Sequence, residues 1–246
     1  MRISQLLRRG VVAGAAAGLA AALMMWLLVE PVIRRALAIE DARGVGHHHG
    51  HDEPLVSRTV QVFAGAFTAV VVGVLVGLVF AVVFAQVQHR LPGGSVFGRS
   101  VALAALGFGV FSLLPALKVP ANPPAVGDSA TVTQRTLIYL LTILVGLLVV
   151  GVVSCLDRLL RNRRLPAPRR CTVDALAVVG CVALVILVLP DSPDVIPGDV
   201  PAAVIWDFRL VSLAHLGTMW AVLGLGFGML AQPQVKHPQE APAASA

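Results

Sequence analysis

The chain is short of charge. Asp, Glu, Lys and Arg make up only 13% of its 246 residues, too few for a disordered chain that water must solvate. Cysteine is scarce too: Cys155, Cys171 and Cys181 form no C-x-x-C pair and no even framework. That excludes a zinc knuckle and a disulfide scaffold, and the three read as apolar fillers. Neither G-x-x-x-x-G-K-[ST] nor H-E-x-x-H nor G-x-S-x-G occurs, so ATP binding through a P-loop is excluded and no nucleophile sits beside an evident base. An enzyme is not expected. Ten-residue segments alternating apolar and polar are missing, which argues against an outer-membrane barrel.

What the chain has in abundance is apolar surface. Hydrophobic residues make up 57% of it and the mean hydropathy is +0.84. At roughly 20 residues per crossing, that supplies about six bilayer-spanning helices. The expected fold is all-α: a polytopic helical membrane protein, one transmembrane domain over 1–232, with spans near 10–30, 60–88, 98–117, 136–156, 173–190 and 205–231. Residues 233–246 read as a disordered tail. The first span could be a signal peptide, since Arg8 and Arg9 precede it and Ala36-Leu37-Ala38 mimics a cleavage site. Its length and the following Arg34 and Arg35 favour a retained helix.

Lys and Arg exceed Asp and Glu by 19 to 13. In a soluble protein that surplus would prompt a search for nucleic acid; here it reads as topology, with no nucleic-acid partner expected. An N-terminus inside places twelve Lys and Arg on the cytoplasmic side, six of them between Arg158 and Arg170, against six on the other. The expectation is a multi-pass protein of the bacterial cytoplasmic (inner) membrane with both termini in the cytoplasm. Odd spans end at a proline (Glu30-Pro31, Leu114-Pro115, Leu189-Pro190) and even spans begin near an arginine (Arg58, Arg135, Arg209). Three similar hairpins are one reading of that pattern, chance placement at helix ends the other. Gly14-x3-Gly18, Gly73-x3-Gly77 and Gly224-x3-Gly228 mark faces where helices approach closely.

Two places offer metal-ligand chemistry. His47, His48, His49, His51, Asp52 and Glu53 put four imidazoles and two carboxylates within seven residues, on the outer side by the charge count. Such donors suit Co, Ni, Zn or Cu divalent ions, and without a fixed geometry selectivity follows the Irving–Williams order. A solvated polar loop is the plainer alternative. Glu30, at the end of span 1, is either an interface anchor or a further ligand, with Glu40 and Asp41 beyond it. In span 6, Ser212, His215 and Met219 share one helical face. An imidazole about two turns into a bilayer helix marks an ion path or proton relay, or else a packing hydrogen bond. Asp207 and Arg209, two apart, do not face each other on a helix. The loop from Asp191 to Pro201 holds three aspartates and no Lys or Arg; it draws cations or is an ordinary acidic turn.

In this order the residues resemble the CbtA family, probable cobalt transporter subunits. The resemblance runs from the Ala/Gly-rich first span and Glu30 through Glu40-Asp41 and the His-rich loop. It continues through Gly107-Phe108, Leu114-Pro115-Ala116-Leu117 and Pro120, Pro123 and Pro124 to Pro197, Pro201, Phe208-Arg209, Ser212-Leu213 and Trp220. The family usually has Arg-Gln followed by aromatics at the start of span 4, whereas here Gln134-Arg135 leads into Thr136 and Leu137. The resemblance implies cobalt uptake linked to cobalamin metabolism, with a small single-span, His-bearing CbtB-like partner. The ion, Co2+ or else Ni2+ or Zn2+, would be cargo, and no permanently bound cofactor is expected. A non-transporting membrane scaffold or metal-binding accessory subunit is the competing expectation.

Overall fold

The structure, a computed structural model, describes residues 3–44, 57–124, 126–127 and 129–232. His47, His48, His49, His51, Asp52, Glu53 and the tail 233–246 lie outside the described residues. Among those described there is no strand. The helices are α1 (Ile3–Met24), α2 (Glu30–Gly44), α3 (Arg58–Val87), α4 (Val96–Phe108), α5 (Leu114–Lys118), α6 (Val132–Asn162), α7 (Ala167–Val188) and α8 (Ala202–Ala231). They form six stretches long and apolar enough to cross a bilayer. Lipid offers no hydrogen bonds, so each crossing must pair its backbone within itself. Hydroxyls follow suit: Thr68, Thr142, Ser154 and Thr218 each donate to the carbonyl one turn back.

The prolines at 31 and 115 do not end their helices, contrary to the sequence pattern. A π-helical turn at Met25–Val29 joins α1 to α2, and another at Gly109–Leu113 joins α4 to α5. The Glu30 amide donates to the Met25 carbonyl and the Leu114 amide to the Gly109 carbonyl, one residue wider than α spacing. Proline removes a donor and crowds the preceding turn, and the widened turn accommodates it so that the helix runs on. Span 5 stops as expected, at Val188 ahead of Pro190, and span 3, though it passes Pro115, stops at Lys118, one residue beyond the expected 117.

The bundle's centre is a seam of glycine against glycine. Gly10, Gly14 and Gly18 of α1 lie against Gly77, Gly73 and Ala69 of α3. A methyl at Gly77 would sit 2.8 Å from the Gly14 Cα, and one at Gly18 2.6 Å from the Ala69 carbonyl oxygen. Backbones this close exchange dispersion contacts that side chains would prevent. Helix α8 packs on both α1 and α4. Along α4, Gly224 meets Ala104, and Ser100 donates to the Gly224 carbonyl at 2.7 Å. Gly107 makes room for Trp220, whose indole N–H donates to Ser112 at 3.1 Å. At one end Phe227 of α8 sets its ring edge-on to Phe80 and Phe84 of α3, with centroids 5.2 Å away in both cases, a favoured aromatic geometry.

Helices α6 and α7 pair with each other at the periphery. The third pair of spans therefore departs from a hairpin repeat: the main neighbours of α8 are α1 and α4, not α7.

Candidate functional site

Chemistry-bearing side chains gather at the proline-rich end of the bundle. The π turn delivers Glu30 to the interior, where its carboxylate is 7% exposed. There Arg58 at the start of α3 donates from Nε and Nη2 at 3.1 and 2.5 Å, and Arg34 donates from Nε at 3.0 Å. Both oxygens of Glu30 are thus engaged by arginine, which ties α2 to α3. Arg35 ties α2 to α8 through Asp207 at 2.9 Å, so the Asp207 charge is matched across helices and not by Arg209.

His215 lies on α8 at the seam with α1, half-buried beside the Ala21 backbone. Its Nδ1 is buried without a hydrogen-bond partner. Ser212 and Met219 are half-buried too, and Met219 packs against the core cluster that includes Leu6, Ala13 and Leu223. The expected ligand candidates Glu30 and His215 are therefore in different settings: the carboxylate is saturated, the imidazole is not.

A second polar cluster joins residues far apart in the chain. Asp194, from the loop after α7, is 2% exposed. It accepts from Asn122 Nδ2 at 2.9 Å, Thr131 Oγ1 at 2.9 Å and Arg135 Nη1 at 3.2 Å. Asn122 in turn accepts from Arg209 Nη2 at 3.1 Å, and the Arg209 guanidinium lies over the Trp206 ring, 5.8 Å from its centroid. Beside them Lys118 closes α5. Its side chain is 2% exposed, and its Nζ donates to the Ile186 carbonyl in the last turn of α7 at 2.9 Å and to Asp191 at 2.5 Å. A cation at a helix C-terminus satisfies carbonyls left without amide partners. The acidic loop is thus no free cation trap: Asp191 and Asp194 both carry cationic partners.

These groups surround two cavities, of about 230 and 390 Å3, which share Pro120 and Asn122 in their walls. Lys118, Asp191, Asp194 and Arg209 line the first; Ser112, Arg135 and Tyr139 line the second. Sequence reasoning missed the roles of Asn122, Thr131 and Lys118 here; the available signals were the acidic loop from Asp191 to Pro201 and Arg135 and Arg209 near span starts. Cys155, Cys171 and Cys181 are all free. Among the described residues no three His, Cys, Asp or Glu side chains come together in a way that could hold a metal ion.

No curated protein and no solved structure matches this chain. A family model does: the one described as "Probable cobalt transporter subunit (CbtA)" matches residues 3–232, nearly the whole length, and the chain belongs to that family.

Proposed function

We propose that this protein is the multi-pass subunit of a system that carries a divalent transition metal, cobalt first among them, into the bacterial cytoplasm. Family membership supports the transport of cobalt. The observation in the fold that carries the reading is His215, a half-buried imidazole at the α1–α8 seam whose Nδ1 has no partner. In this reading the loop from His47 to Glu53 faces outward and raises the local metal concentration. His215 lines or gates the path, with Ser212 and Met219 on its face. Glu30 takes part only when Arg58 and Arg34 release it. Weak, successive sites suit conduction, because a tight site does not let its ion go. The membrane potential supplies about 2.3 kcal/mol per charge per 100 mV, or a partner supplies the energy; a small single-span CbtB-like subunit is the partner this reading carries, and lipid is the surrounding solvent.

One observation favours a second reading, a non-transporting scaffold or accessory subunit: the described residues contain no three-ligand metal cluster. Flux into liposomes separates the two. Purified protein, with and without the single-span partner, is assayed with Co2+, Ni2+ and Zn2+ in competition. Transport predicts saturable Co2+ entry, abolished at all concentrations by His215→Ala. Replacing His47, His48, His49 and His51 with alanine should weaken entry only at low concentration. Absence of flux under every condition establishes the scaffold.

A further inference from the structure

Around the turn between α6 and α7 stand six arginines, Arg158, Arg161, Arg163, Arg164, Arg169 and Arg170, against two aspartates, Asp157 and Asp174. Asp157 accepts from Arg161 at 2.5 Å and lies 3.8 Å from Arg170. Arg158, Arg163, Arg164 and Arg169 are exposed, and among the described residues no carboxylate pairs with them. The tail 233–246, outside the described residues, brings one lysine and one glutamate, which cancel. At the end of α6 the Arg164 amide donates to the Arg161 carbonyl at 2.9 Å and the Leu165 amide to the Leu160 carbonyl at 3.2 Å. That closure needs a left-handed residue at 164, a place usually taken by glycine. Arg164 fills it at φ 58°, alone among the described non-glycine residues, so a guanidinium is held there against backbone strain.

The depth of the turn names its surroundings. No charge occurs from Thr136 to Leu156 or from Ala175 to Pro190, and about 20 apolar residues cross the hydrocarbon. The arginines therefore begin where hydrocarbon gives way to headgroups. The same half of the hairpin buries nothing in the bundle: α6 buries Ile138, Thr142 and Gly146, all in its first half, and α7 buries Val185 near its far end.

We propose that the α6–α7 turn binds anionic phospholipid, its arginines holding the headgroup phosphates. A phosphate accepts paired N–H donors from the guanidinium fork. The surplus of positive charge favours a lipid of net negative charge over a zwitterionic one. Acyl chains also cover Leu148, Val152, Leu176 and Val179, exposed on the adjoining helix faces, which a soluble anion does not. The site stands or falls separately from the metal-transport reading.

The test titrates delipidated full-length protein in detergent with phosphatidylglycerol and with phosphatidylcholine of the same acyl chains, counting bound lipid by native mass spectrometry. Phosphatidylglycerol should bind at least about fivefold more tightly, the increment of one arginine at an anionic surface. Glutamine at 158, 163, 164 and 169 together should bring it to the phosphatidylcholine level, whereas lysine at all four should keep the preference. Arg8→Gln combined with Arg90→Gln, exposed arginines of two other elements at the same end of the bundle, should leave it unchanged. Arg164→Gly should raise the melting temperature, because glycine is unstrained at positive φ, yet weaken phosphatidylglycerol binding about fivefold. If the fourfold glutamine variant does not fold, Arg164→Gly and Arg169→Gln decide. Four results overturn the proposal: equal affinity for the two lipids, undiminished binding by folded turn variants, an equal loss from the Arg8 and Arg90 changes, or displacement of the lipid by excess glycerol phosphate.

Discussion

The Tyr139 hydroxyl donates to the Phe111 carbonyl across 3.0 Å, and four residues beyond Phe111 stands Pro115, which has no N–H to give. A side chain of α6 thereby supplies a hydrogen bond in the very turn where proline takes one out of span 3. Tyr139→Phe should cost about 1 kcal/mol, the size of an interhelical hydrogen bond in a membrane. In a Pro115→Ala background, where residue 115 regains its amide, the same change should cost close to nothing. A double-mutant cycle on unfolding free energy checks this; strict additivity would refute it.

The α1–α3 seam gives a contrast between two glycines. A methyl at Gly18 meets backbone atoms of Ala69 and Val70, both 2.6 Å away, whereas one at Gly180 of α7 meets nothing within 4 Å. Gly18→Ala should destabilise by about 1–3 kcal/mol through overpacking. Gly180→Ala should be neutral or stabilise by up to about 1 kcal/mol through helix propensity. Thermal unfolding of the two variants in one detergent tests the difference in sign.

Around Glu30 the two arginines should not be equivalent. Arg34 is an exposed partner one turn away on the same helix, while Arg58 bridges two helices with two bonds. Arg34→Gln should cost under about 0.5 kcal/mol. Arg58→Gln, which leaves a buried carboxylate short of partners, should cost about 1–3 kcal/mol. Chemical unfolding of each variant reads the order directly, and the reverse order would mean that the bridge does not hold α2 to α3.

Lys118 and Asp191 form a lopsided pair, 2% and 92% exposed. Asp191→Asn leaves a buried ammonium with only the Ile186 carbonyl and should destabilise by about 1–3 kcal/mol, less than the roughly 3–5 kcal/mol of a fully buried broken pair because Asp191 itself is exposed to water. Lys118→Met removes the buried charge at similar volume and should lie within about 1 kcal/mol of wild type. Melting temperatures at fixed ionic strength distinguish this asymmetry from equal losses.

Six crossings were legible because long apolar runs have no other stable home. The facing glycines of spans 1 and 2 were legible as packing motifs for the same reason, since four-residue spacing puts them on one helix face. The end of span 1 was misread: proline was taken as a stop, and a π turn that carries a helix past it leaves no mark in residue type. The cluster around Asp194 was out of reach for a different cause. Its hydrogen bonds join residues 59, 63 and 72 positions apart, and the link from Arg209 to Asn122 spans 87. No local pattern encodes such a meeting. The partner of Asp207 likewise came from another helix, Arg35, and not from its neighbour in sequence.

Helix α7 buries one side chain, Val185. Lys118 grips its last turn through Ile186, and at the opposite end Arg170 lies 3.8 Å from Asp157 of α6. A rod fastened at its tips and paired along one side with α6 leaves most of its surface to the surrounding lipid.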